Sequence, residues 1–176
     1  MSKLYVIRHA ATQQSASPAE TWPLSAEGEA QAQALVGHPC WQEVTRIVSS
    51  PEEKALATVR PAAQAHGLAL ETHHDLRELQ RSPLYLTNEG YQQTVQEVFA
   101  YPERSINQWE SGSSVRSRMD GAISELCERY KHDTLAIVSH GLALSIWLAA
   151  LRGEAQPSFE AWRSLGFCRV LTVELV

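Results

Sequence analysis

Two histidines stand at the ends of short apolar runs: His9 follows residues 4–7 and Arg8, and His140 follows residues 134–138 and Ser139. An imidazole with one bare nitrogen can attack an electrophile or take a proton. Arg8 supplies a planar fork of donors that matches the oxygens of a tetrahedral anion. Lys54 adds a compact positive charge. His140 immediately precedes an apolar helical pattern, and the N–H groups at such a helix start favour an anion. Glu78 is the carboxyl of the set. It could protonate a departing alkoxide and then take a proton from water, provided that it starts protonated. Phosphate is the expected ligand, although carboxylate or sulfate suits the same field.

These side chains converge only if the elements before them lie side by side. Residues 4–7 and 134–138 are apolar and partly β-branched, which predicts buried strands. Residues 45–48, 68–72 and 170–176 predict three more. Between them, Ser25 caps a predicted helix that reaches Val36, Pro51 opens one that ends near His66-Gly67, and Thr87 caps one through Phe99. Val115, Met119, Ala122, Ile123, Leu126 and Tyr130 fall on one helical face, with Gly112-Ser113-Ser114 as the expected cap. An apolar helix follows His140-Gly141. Strands alternating with helices predict an α/β domain built on a mostly parallel sheet. In such sheets ligands bind outside the carboxyl ends of the strands. Arg8, His9, Lys54, Glu78 and His140 all follow predicted strands.

The composition narrows the setting. The 176 residues suit a single domain spanning 1–176, and 44% apolar with 20% charged residues is ordinary for a folded chain. A net charge of −5 argues against a general nucleic-acid binder. Cys40, Cys127 and Cys168 form no CxxC pair, so neither a disulfide framework nor a zinc knuckle is expected, and a reducing, cytoplasmic setting fits. The first apolar run is too short for a signal peptide, and residues 142–151 are too short to span a bilayer. His73-His74-Asp75 is a weak metal candidate, because neighbours on a strand face opposite ways.

The ordered motifs resemble those of the histidine phosphatase superfamily, the phosphoglycerate-mutase-like proteins. Arg8-His9-Ala10-Ala11-Thr12 is similar to its Arg-His-Gly-x-Thr signature. Leu24-Ser25 with Gly28, Gln31 and Ala32 resembles its Leu-Thr-x-x-Gly-x-x-Gln-Ala segment. Ser49-Ser50-Pro51 with Thr58, Leu76-Arg77-Glu78, and Ser139-His140-Gly141 follow in the same order. The resemblance implies a three-layer α/β/α sandwich, a phosphorylated His9, a phosphate pocket containing Arg8 and His140, and Glu78 as proton donor. It implies no metal and no cofactor, and a small phosphorylated substrate as the partner. Mutases of the family usually carry longer insertions, so the short chain favours a phosphatase.

The sequence also departs from that pattern. Ala10 replaces a glycine, and Lys54 replaces a second phosphate-binding arginine, for which Arg60, Arg77 or Arg81 could compensate. Ser15 stands where an asparagine is frequent. Thr12 and Ser15 can contact phosphate or simply hold their loop. The Gly-x-Trp-Glu-Gly stretch that often follows the acid is missing, so Glu78 could instead belong to a surface ion pair with Arg77 or Arg81. Three readings remain open: a phosphatase, a weakly active or non-catalytic phosphate-binding member of the same fold, and a phosphoglycerate-type mutase. Substrate and oligomeric state are not encoded legibly. Leaving-group contacts are expected from residues 13–23, 79–87 and 101–114.

Overall fold

The computed structural model describes residues 2–15, 18–82 and 86–175. Five strands form one sheet: β1 (Ser2–Arg8), β2 (Arg46–Ser49), β3 (Ala69–Thr72), β4 (Leu135–Ser139) and β5 (Val170–Leu175). Their order is β3-β2-β4-β1-β5. The first four are mutually parallel, whereas β5 runs antiparallel to β1 at the edge. The mostly parallel α/β architecture expected from the sequence is thus present, with one antiparallel edge strand.

Alternation along the central strands separates two apolar cores. Leu4 and Val6 of β1, with Leu135 and Ile137 of β4, face one side. Tyr5 and Ile7, with Ala136 and Val138, face the other. Helices α1 (Ala26–Leu35) and α2 (Glu53–His66) cover the second side, contributing Leu35, Ala55, Val59 and Ala62. Helices α3 (Asn88–Ala100), α4 (Gly112–Arg129) and α5 (Gly141–Leu151) cover the first, contributing Val95, Phe99, Val115, Met119, Leu126 and Trp147. Each such large side chain taken from water contributes about 1.5–3 kcal/mol. A short α6 (Phe159–Ser164), absent from the sequence pattern, packs Phe159 and Trp162 onto the rim of the same core.

The helix starts follow local chemistry. The Ser25 hydroxyl accepts from Gly28 N and the Thr87 hydroxyl from Gly90 N, as their positions predict. In α4 the cap is Ser111, which accepts from Ser114 N, so Gly112-Ser113-Ser114 is the first turn rather than the cap. No helix among the described residues is long and apolar enough to cross a membrane.

Candidate active site

The register of β1 against β4 brings the two histidines together. Arg8 lies opposite Ser139, and His9 N extends the ladder by donating to Ser139 O at 3.0 Å. The next residues, His9 and His140, therefore sit at adjacent strand ends, their ring centroids 5.0 Å apart. Strand β2 is the other neighbour of β4. Ser50 N donates to Val138 O at 2.8 Å, which sets the Ser50 hydroxyl 2.7 Å from His140 Nε2.

His9 is held in one tautomer. Its Nδ1 is 2.7 Å from the Ala10 carbonyl oxygen. A carbonyl only accepts, so Nδ1 carries the hydrogen and the neutral ring keeps a bare lone pair on Nε2. Burial pushes the His9 pKa down to about 3, opposed by the Ala10 bond and assisted by the charges of Lys54, Arg8 and Arg81. His140 is fully buried and is pushed well below the ordinary histidine value, first by burial and then by His9, Lys54, Arg118 and Arg81. Both rings are thus neutral near pH 7. His140 Nδ1 has no hydrogen-bond partner among the described residues, nor has Arg8 Nε.

Arg8 is clamped. Its guanidinium donates to the Leu165 carbonyl and stacks 4.1 Å above the Phe167 ring. Gly141 also packs close to it: an added Cβ there would lie 3.1 Å from Arg8 Cζ. Burial lowers the Arg8 pKa, with the Glu78 carboxylate opposing that shift. Phe167 also approaches the His9 ring, at 5.6 Å, and the next residue, Cys168, adopts a left-handed φ of 55° while donating to His9 O at 3.2 Å. A cleft of about 260 Å³ opens here, lined by Arg8, Gln92, Trp162, Arg163, Leu165, Gly166 and Phe167.

Lys54 reaches the same corner from the first turn of α2. It is only 4% exposed, and its Nζ lies 2.6 Å from the Ala19 carbonyl and 2.7 Å from Glu52 Oε2. Glu52 Oε1 accepts from Glu78 N at 2.7 Å and stands 3.4 Å from His140 Nε2. Glu78 follows β3 and turns its carboxyl toward the start of α5. Oε1 accepts from Leu79 N and Ala143 N, and Oε2 from Leu142 N, at 2.8–3.2 Å. Glu78 is therefore not an ion-pair partner of Arg77, which binds Asp75. Oε2, which accepts a single main-chain bond, keeps a lone pair that can carry a proton.

Among the remaining expectations, Thr12 is half-buried where its backbone bridges to Leu24, and Ser15 is exposed further along that loop. Ala10 is fully buried, its N–H donates to Thr58 Oγ1 at 2.9 Å, and its φ is not positive, so its methyl replaces a glycine without backbone strain. Arg60 pairs with Glu53. Of the three compensating arginines, Arg81 is the one whose charge reaches both histidines. His73 receives Asp75 N and faces Glu125, closing a turn. Within the segments expected to meet the leaving group, residues 16–17 and 83–85 lie outside the described residues. Ser50, Glu52, Leu165 and Phe167 were not marked as site residues by their sequence. Ser50 lies inside the Ser49-Ser50-Pro51 motif and Glu52 lies two residues before Lys54, but nothing local tells which way either side chain turns.

A mostly parallel sheet with two buried imidazoles, Arg8 and a buried Lys54 at its carboxyl edge has the phosphoglycerate-mutase-like α/β fold. The chain belongs to the histidine phosphatase superfamily, branch 1, whose family model matches residues 4–175. It is 30% identical over 163 residues to the probable phosphoglycerate mutase GpmB of Yersinia enterocolitica, covering 87% of this chain and 76% of that one. Among solved structures it resembles Bacillus stearothermophilus YhfR, with TM-score 0.80 and 21% identity over 100% of this chain and 92% of that one. A mycobacterial glucosyl-3-phosphoglycerate phosphatase gives TM-score 0.77 at 20% identity, over 99% and 91%. A phosphoserine phosphatase of Entamoeba histolytica gives 0.77 at 21%, over 98% and 90%.

Proposed function

We propose that this chain is a phosphatase that hydrolyses a small phosphomonoester through a phosphohistidine at His9. The observation that carries the reading is the tautomer of His9: Nδ1 is committed to the Ala10 carbonyl, and Nε2 keeps its lone pair in a buried corner beside His140, Arg8 and Lys54. The Nε2 lone pair attacks phosphorus as the ester P–O bond breaks, and the departing oxygen takes a proton. Water then attacks phosphorus, the P–N bond breaks, and a base receives the water proton. Glu78 is the group proposed for both proton transfers. Arg8, Lys54 and His140 hold the phosphoryl oxygens, with Thr12 and Ser15 as flanking contacts, so the charge of the transition state is met by side chains without a metal.

The test is a phosphomonoester panel assayed with EDTA present, followed by acid-labile labelling of the protein. Turnover and label are expected in the native chain and absent in His9→Ala. Turnover that survives His9→Ala overturns the reading. The relatives named as probable mutases favour a second reading, phosphoryl exchange between phosphoglycerates. Isomer exchange without net release of phosphate distinguishes it.

A further inference from the structure

Two glutamates stand side by side at the start of α2 and behave differently. Glu53 is half-exposed and pairs with Arg60 at the surface. Glu52, at the position where a side chain could cap the helix, makes no such cap and turns inward, its side chain 12% exposed. One of its oxygens meets Lys54 Nζ at 2.7 Å. The other receives Glu78 N–H at 2.7 Å and stands 3.4 Å from His140 Nε2. A carboxylate therefore already rests on groups that a bound phosphate would use.

We propose that Glu52 is an internal anionic ligand of the phosphate cradle, one that competes with substrate and product for Lys54 and His140. The proposal rests on the phosphate-binding reading of this site. Two anions cannot share one buried ammonium and one imidazole without strong mutual repulsion, because little water is present to screen them. Phosphate enters as the Glu52 carboxylate gives up Lys54 Nζ. The positive charge at position 54 stays neutralised in the resting protein, and free phosphate is held weakly. Glu52 thereby sets how strongly the site retains a dianionic product.

Titration calorimetry with inorganic phosphate tests this on the native chain, Glu52→Gln, Glu52→Ala and Glu53→Gln. Glu52→Gln keeps the shape and the acceptor for Glu78 N–H and removes only the charge. Its affinity for phosphate is expected to rise roughly tenfold or more, that of Glu52→Ala likewise, and that of Glu53→Gln less than about twofold. An unchanged or weaker affinity in both Glu52 variants overturns the proposal, as does an equal gain in Glu53→Gln. A native crystal soaked in phosphate gives a check independent of any variant. Glu52 is expected to have left Lys54, and a carboxylate still seated on Lys54 beside bound phosphate overturns the proposal. If the native protein binds phosphate but the Glu52 variants bind it no tighter, this proposal fails alone. If folded native protein neither binds phosphate nor shows His9-dependent turnover, the phosphate-site reading fails with it.

Discussion

The rings of His9 and His140 lie 5.0 Å apart and tilted by 56°, buried at the ends of two strands that pair in parallel. Neither ring can take a proton there cheaply. The folded-state pKa of His9 is depressed to about 3, against 6.5 for an open histidine. The unfolded chain consequently binds more protons between those values. The stability contributed by the neutral ring is whole above about pH 6.5 and is lost as the pH falls toward about 3. Between pH 7 and 5 His9 alone accounts for about 2 kcal/mol. Urea denaturation across that range is expected to show the loss, and His9→Asn is expected to flatten the slope by that amount. Equal slopes in the two proteins would mean that His9 titrates as if exposed.

Gly28 carries a motif position whose reason becomes visible only in three dimensions. A Cβ there would lie 1.9 Å from the Ala11 carbonyl oxygen. Ala11, two residues beyond His9, gives its N–H to Gln31 Oε1 and receives Ser25 N at its carbonyl. Gly28→Ala must push α1 away from the loop that carries His9. The expected cost is about 3 kcal/mol, a fall of roughly 6–12 °C in Tm for a chain of this size. Calorimetry measures it, and an unchanged Tm would show that the contact is loose.

The ammonium of Lys54 and the carboxylate of Glu52 form a buried pair. Lys54→Met leaves that carboxylate without its cation, so stability is expected to fall by about 3 kcal/mol. Phosphatase kcat/KM is expected to fall about 10- to 100-fold, the worth of one charged hydrogen bond. Adding Glu52→Gln is expected to restore most of the stability and little of the activity. Chemical denaturation and steady-state kinetics on the three variants separate the two effects. Loss of activity regained in the double variant would remove Lys54 from the phosphate contacts.

Much of this arrangement was legible because it depends on strands that advertise themselves. Residues 4–7 and 134–138 are apolar on alternating sides, and each stops at a histidine, so parallel pairing alone delivers His9 to His140. Ser25 and Thr87 announced their helices for the same local reason. The C-terminal contribution was not legible. Phe167 meets Arg8 because α6 and the left-handed Cys168 fold the chain back over the site, and neither feature follows from residue type. Glu52 was hidden too, since adjacent Glu52 and Glu53 read identically until one is seen to turn inward.

The clamp on Arg8 separates activity from stability in a single substitution. Its guanidinium stacks 4.1 Å from the Phe167 ring and closely approaches position 141, with the Leu165 carbonyl holding one amino group. A methyl at position 141 would stand 3.1–3.2 Å from Cζ, Nε and Nη2. The Phe167 stacking and the Leu165 bond hold the guanidinium, and the fork must still shift by a few tenths of an ångström to admit the methyl. The proposed phosphate contacts of Arg8 depend on that alignment, and kcat/KM of Gly141→Ala is expected to drop about 10- to 100-fold. The helix itself gains, because alanine is favoured over glycine in a first turn at an ordinary φ by up to about 1 kcal/mol. Tm is therefore expected to hold or rise while turnover falls. Combining Gly141→Ala with Phe167→Ala frees the guanidinium from its stacking partner and is expected to recover part of the rate. If the double variant is no faster than Gly141→Ala alone, the position of Arg8 is not what limits the reaction.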